Sequence, residues 1–333
     1  MGEAPAQAVV AAARAGDEAA FSELFESYRR QLQVHCYRML GSLEDSEDLV
    51  QETFLRAWRS RRSFRGQSSF RAWLYAIATN ACLDALQRRR PRAVSSDGAQ
   101  PLAEVPWLQP YPDDLLEGIA SSDDEPEAEL VARETIELAF IAAIQLLPPK
   151  QRAVLISRDV LGWSAAESAA LLDLSVAAVN SALQRARATL KEHLPRHRVD
   201  WAPGNEPSRE ERALLQRYME ATDHGDPEAI RRLLRADALF AMPPEPRWYV
   251  GPDAIVESWL EGGFGDDSWG HLRCIPTRVN RQPAVACYLK RAGETEYRPL
   301  ALDVLRIEDG AVAEIVAFDL EPLLARLGLP ATL

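Results

Sequence analysis

The sequence offers little from which to build a metal or catalytic centre. Its four cysteines, Cys36, Cys82, Cys274 and Cys287, are scattered over 333 residues without a C-x-x-C pair. That spacing suggests neither a disulfide framework nor a zinc site, and buried thiols are expected instead. No run of about 18 apolar residues occurs, so no membrane-spanning helix is expected. The start, "MGEAPAQAVVAAARAGDEAAF", lacks the basic segment of a leader and enters an amphipathic helix at once. These absences point to a cytoplasmic protein with no membrane partner. Internal repeats and long low-complexity tracts are missing as well.

A basic overall charge is also missing: the formal net charge is −12. Its distribution matters more, because a surface attracts ligands through its field within a Debye length of about 8–10 Å. Residues 96–140 hold twelve acids and one base, whereas Phe54 to Arg92 holds ten arginines and a single acid, Asp84. Basic units joined by an acidic connector are compatible with nucleic-acid binding.

Helical spacing of apolar residues from Asp17 to about Arg90 predicts an all-helical domain over 1–92, with turns at Gly41-Ser42 and Arg65-Gly66-Gln67-Ser68. Residues 93–128 are rich in Pro, Ser and acid and read as a linker. A second helical unit is predicted over 129–194, a breaker-rich linker over 195–208, and a domain of different character over 209–333. There, three helical stretches precede the alternating runs "HLRCIPTRV", "AVACYLKR", "YRPLALDVLRI" and "AVAEIVAF", which predict an α+β domain with an antiparallel meander.

The sharpest local pattern is "SAAESAALLDLSVAAVNSALQRARATL", Ser164 to Leu190. Ser164 and Glu167 form a capping-box pair, and Ser175 is placed to cap a second helix. Val176, Val179, Leu183, Ala186 and Leu190 make one stripe of that helix; Asn180, Ser181, Gln184, Arg185, Arg187 and Lys191 populate other faces. A short turn between two such helices is helix-turn-helix architecture, and Asn, Gln and Arg have the geometry for base edges and phosphates. A solvated polar face on an ordinary helical hairpin is the bland alternative.

Leu147 to Leu194, with its L-P-x-x-x-R-x-V opening and terminal "RAR" helix, resembles region 4 of bacterial sigma factors. Asn180 and Ala182 stand where that family commonly has a basic residue, so base preference does not carry over. Upstream, "DSEDLVQETFLRAWRS" (45–60) and "FRGQSSFRAWLYAIATNACLDALQRRRPR" (64–92) resemble region 2 of the extracytoplasmic-function (ECF) group. The resemblance implies promoter DNA and core RNA polymerase, at its β′ clamp and β flap, as partners. It places Asp48, Leu49, Gln51, Glu52 and Phe54 on the clamp. For melting and reading the −10 element it implies Phe64, Arg65, Ser68, Ser69, Phe70, Arg71, Asn80, Asp84, Gln87 and Arg88, with Trp73 expected in the core and the Gly66–Ser69 loop open to a flipped base. Ser175 and the polar residues of the helix after it would serve the −35 element.

In sigma factors of this group the linker between regions 2 and 4 threads positively charged polymerase channels, which suits its acidity. Yet "VPWLQPYPDDLL" carries Trp107, Tyr111, Leu115 and Leu116, too apolar for a spacer, and is expected to dock between domains. The C-terminal pattern resembles the SnoaL-like branch of the nuclear-transport-factor-like superfamily, an α+β cone around a pocket. Asp223, His224, His271, Asp303 and Asp319 are its acid/base candidates, but no pairing of them is evident, so a regulatory role is expected in preference to catalysis. The fold class expected is two all-α domains, the second with a helix-turn-helix, followed by the cone; no cofactor or metal is implied. The competing reading is a one-component regulator, a helix-turn-helix protein with a ligand-sensing C-terminal domain. It would need neither the clamp-docking stretch 45–60 nor the aromatic loop 64–75.

Overall fold

The computed structural model describes residues 3–64, 69–88, 105–116, 136–194, 208–245 and 247–333. The chain divides into two compact units. Residues 1–94, 115–135 and 143–196 form the first, and residues 95–114, 136–142 and 197–333 form the second.

The first unit is helical. Its region-2 part comprises α1 (Glu3–Ala15), α2 (Glu18–Leu40), α3 (Leu43–Ser60) and α4 (Phe70–Arg88). Asp17 caps α2 by accepting from the Ala20 N–H at 3.0 Å. Gly41, at φ +71°, ends it in the left-handed conformation that a Cβ would penalise. The core of this part is aromatic: the rings of Phe21 and Phe25 lie 5.6 and 5.0 Å from that of Phe54. Next come α5 (Leu138–Gln145), which crosses the boundary between the units in sequence, α6 (Pro149–Leu155) and a π-helical turn (Ile156–Val160). Helices α7 (Ala165–Leu172) and α8 (Val176–His193) complete the region-4 part. The Ser164–Glu167 capping box is present, with bonds of 2.7 and 3.2 Å, and Ser175 accepts from the Ala178 N–H at 3.1 Å.

Within this unit the two helical parts pack directly on each other. Arg152 of α6 is buried and lacks a carboxylate partner among its hydrogen bonds. Its guanidinium donates to the carbonyl of Met39 in the last turn of α2, to Gln145 Oε1 at 2.5 Å, and to the carbonyls of Gln145 and Leu147 at 2.7 and 3.1 Å. Gln145 in turn donates to the Arg38 carbonyl at 3.1 Å. The Arg38 and Met39 carbonyls belong to the negative end of the α2 dipole, and those of Gln145 and Leu147 lie at the C-terminal end of α5; each favours a cation there. Burial nevertheless lowers the Arg152 guanidinium to about 9. The rings of Tyr75 and Trp163 meet edge-on at 5.7 Å in the same contact.

The second unit is α+β. Helices α9 (Arg209–Asp223), α10 (Pro227–Leu233) and α11 (Pro252–Glu261) accompany strands β1 (Leu234–Ala241), β2 (Trp248–Val250), β3 (His271–Val279), β4 (Gln282–Lys290), β5 (Arg298–Glu308) and β6 (Ala311–Asp319). A short α12 (Leu324–Leu327) follows. The six-stranded sheet has the order β2-β1-β6-β5-β4-β3. Strands β3 to β6 form the antiparallel meander that alternation predicts. Strands β1 and β2 are additions: β1 pairs parallel to β6, so the sheet is mixed. Leu214, Tyr218, Ile230, Ile255, Val285, Leu305 and Ile315 are among the residues that build the core where the helices cover the sheet.

Linker residues join this second unit. Val105, Leu108 and Tyr111 are buried, and Trp107 is half-buried. The β3–β4 turn holds the segment through its backbone. Asn280 and Arg281 both adopt positive φ, +53° and +61°, as a tight two-residue hairpin turn requires. The fully buried Asn280 accepts from the Tyr111 N–H through Oδ1 at 2.7 Å and donates through Nδ2 to the Ile136 carbonyl at 2.6 Å. Its own N–H donates to the Tyr111 carbonyl at 2.8 Å. Gln282 accepts from the Leu138 N–H at 3.0 Å, and Asp113 accepts from the Arg281 N–H at 2.8 Å.

All four cysteines are buried and unbridged. Buried His35 pairs its Nε2 with the Thr79 hydroxyl at 2.8 Å, and burial, aided by Arg38, lowers its imidazole to about 3. Because the folded value is depressed, the unfolded chain binds more protons between about pH 3 and 6.5, and stability is lost as pH falls through that window. Urea unfolding followed by helicity should show about 2 kcal/mol less stability at pH 5 than at pH 7 from this group, and His35→Gln should remove that share of the difference.

Candidate nucleic-acid interface

Helix α3 turns its apolar edge inward and leaves a polar edge outside. Asp48 and Gln51 are exposed; Leu49, Glu52 and Phe54 are half-buried, Phe54 within the aromatic core. The exposed stripe continues to Leu55, 44% accessible, which composition alone does not single out. The three- and four-residue steps from Asp48 to Gln51 and Leu55 are the signal that finds it.

The same helical arithmetic sorts α4. Asn80, Asp84, Gln87 and Arg88 are all exposed, and the steps between them place them on one face. Arg56 donates to Glu52 at 2.8 Å and to Asp84 at 2.7 Å, and so ties the edge of α3 to that face. Two aromatic expectations need correction. Phe64 and Phe70 are 6% and 9% accessible, with rings 5.5 Å apart, and are core residues, not free stacking surfaces. Trp73, expected in the core, is only half-buried against both rings. Ser69 is exposed and accepts from the Ala72 N–H at 3.1 Å as α4 begins. Arg71 lies with its guanidinium 5.5 Å from the Tyr75 ring centre. Arg65 and Ser68 fall outside the described residues.

In the helix-turn-helix, Asp173 ends α7 at φ +52° and Ser175 opens α8. Ser175, Asn180, Ser181, Gln184, Arg185, Arg187 and Lys191 are all exposed. The buried side consists of Val179, Ala182, Leu183, Ala186 and Leu190. Val176, expected in that stripe, is 45% accessible, while Ala182 takes a core position. Arg187 is bound bidentately to Asp159, at 2.7 and 2.9 Å.

Residues 24–92 match the Sigma-70 region 2 family and residues 137–190 the Sigma-70 region 4 family. The chain is 42% identical over 330 residues to the ECF RNA polymerase sigma factor SigG of Mycobacterium tuberculosis, covering 96% of this chain and 86% of that one. It belongs to the ECF sigma factors. Against SigW of Bacillus subtilis the identity is 30% over 179 residues, 54% of this chain and 91% of the relative. The crystal structure of the Mycobacterium tuberculosis ECF sigma factor SigJ shares the fold over 93% of this chain and 99% of its own, with a TM-score of 0.57 at 23% identity. As a sigma factor the protein is the non-enzymatic initiation subunit that binds core RNA polymerase and promoter DNA. No described helix is long and apolar enough to cross a membrane.

The two arginines of α8 should behave differently on DNA. Arg185→Ala should lower the slope of log affinity against log salt by about one, the share of one phosphate contact. Arg187→Ala should lower it less, because Asp159 already neutralises that side chain. Equal effects in a salt titration of upstream promoter binding would contradict this difference.

Proposed function

We propose that this sigma factor docks on the polymerase β′ clamp with the exposed edge of α3, reads the −10 element with the outer face of α4, and reads the −35 element with α8 while its region-4 part meets the β flap. An acidic edge around an apolar Leu55 suits a basic partner helix. Asn80, Gln87 and Arg88 on α4, like Asn180, Gln184 and Arg185 on α8, provide base-edge and phosphate donors from the exposed side of each helix. Exposed Val176 stands at the start of α8, where the end of a recognition helix meets base edges and a methyl-bearing side chain fits a thymine methyl. The protein acts where polymerase and chromosome are, in the cytoplasm.

The C-terminal domain regulates this activity by holding the linker. One observation carries this reading: Asn280 occupies the backbone of the connector at Tyr111, and Asn280 and Gln282 occupy that of the start of α5 at Ile136 and Leu138. A connector held in this way cannot at the same time thread polymerase channels. Of the acid/base candidates, Asp223, His224, His271 and Asp319 are exposed, which suits regulation better than catalysis in a dry site.

Asp48→Arg combined with Glu52→Arg should abolish co-elution with core polymerase while leaving helicity unchanged; retained co-elution would remove α3 from the interface. Asn280→Ala takes away one side-chain bond to the linker at Tyr111 and one to Ile136, and should change run-off transcription severalfold without altering promoter choice. Transcription equal to that of the unaltered chain would make the C-terminal domain a passenger.

A further inference from the structure

The C-terminal domain carries a cavity of about 570 Å³, open to solvent at its mouth, that the functions above leave unused. That volume lies in the range of small-molecule sites. Phe240, Trp259, Phe264, Leu272 and Phe318 furnish apolar wall, and the Trp259 ring meets those of Phe240 and Phe264 edge-on at 5.5 and 5.6 Å. Among these apolar groups stands one buried carboxylate, Asp303 of β5. Its Oδ2 accepts from the Tyr218 hydroxyl at 2.9 Å and faces the Cys287 thiol at 3.7 Å. Both side-chain contacts use Oδ2, which leaves Oδ1 as the acceptor available to the cavity.

A carboxyl in this position is costly to keep. Burial raises it to about 6, against the lowering effect of Tyr218 and Cys287. A leucine would pack there without that penalty. Tyr218 itself is fully buried, so the dyad is held rigidly and its free oxygen is pre-aimed.

We propose that the cone binds an apolar, ring-sized small molecule bearing one hydroxyl, its rings among the aromatic walls and its hydroxyl donating to Asp303 Oδ1. Strand β4 carries Cys287 at this site and Gln282 at the linker, so an occupant would touch a strand that also holds the connector. That consequence for transcription rests on the regulatory reading; binding itself does not.

Isothermal titration of the full chain at about pH 7.5 with 2-naphthol tests the proposal. One molecule should bind per chain, and 2-methoxynaphthalene, with the same rings but no donor, should bind about tenfold or more weakly. Asp303→Asn should erase or invert that preference, because Tyr218 claims the amide oxygen and the NH2 left to the cavity donates. Ala301→Phe, which fills the cavity from β5, should abolish binding of both probes. The comparison of the two probes on the unaltered chain needs no variant to fold. Absence of saturable 2-naphthol binding, equal affinity for the two probes, or binding indifferent to Ala301→Phe would each overturn the proposal.

Discussion

A backbone group taken out of water must find a partner, and here the decisive partners lie far away in sequence. Arg152 satisfies the Met39 carbonyl in the last turn of α2 from across the first unit. Asn280 satisfies both sides of Tyr111 in the second. Both side chains are polar, buried and directed at main chain instead of at an opposite charge. That choice fixes position without depending on the identity of the side chains being held. It also joins parts that the sequence separates: the region-4 part to the region-2 part, and the connector to the C-terminal domain.

Magnitudes decide what such a clamp can do. Asn280, Arg281 and Gln282 make five hydrogen bonds, three to Tyr111 and Asp113 of the linker and two to Ile136 and Leu138 at the start of α5. At a net contribution of about 0.5–1.5 kcal/mol each, they contribute about 3–7 kcal/mol. Inverting a two-state population from 1:99 to 99:1 takes about 5.5 kcal/mol of differential binding. On the proposed regulatory reading, a clamp of this size would hold the connector in the free protein and would yield to polymerase binding. A covalent tie could not be released by binding, and a single exposed hydrogen bond would not hold.

Much of this was legible in the sequence because it is local. The Ser164–Glu167 box, the Ser175 cap, the Gly41 stop and the alternation of β3 to β6 depend on neighbours within a few residues. The family resemblance likewise picked out Asn80, Asp84, Gln87 and Arg88, all of which are exposed. What sequence reasoning missed is non-local. The "LRADALFA" of β1 lacks clean alternation because its later half is buried on both sides between β2 and β6. Phe64 and Phe70 resemble stacking aromatics until the cluster that absorbs them is assembled. Val176 fits the apolar stripe by spacing, yet it is 45% accessible while Val179, three residues on, is fully buried. Arg152 could be recognised as a family position, but the capping of α2, more than a hundred residues away, leaves no trace in local spacing.

The surface charges of the proposed interfaces are already partly engaged within the protein. Arg56 spans Glu52 and Asp84, and Arg187 is bound to Asp159. Each of these pairs keeps roughly a third or more of its side-chain surface in water, where an ion pair contributes about 0–1 kcal/mol. Exchanging such a partner for a phosphate or a polymerase residue therefore costs little. While the protein is free, the internal pairs limit the conformations of these long side chains, and at the proposed interfaces that would reduce the ordering entropy left for binding. An acidic protein can thus carry DNA-reading helices: the negative charge is concentrated in the connector, and the cations that must act are held by weak, exchangeable partners until a stronger one arrives.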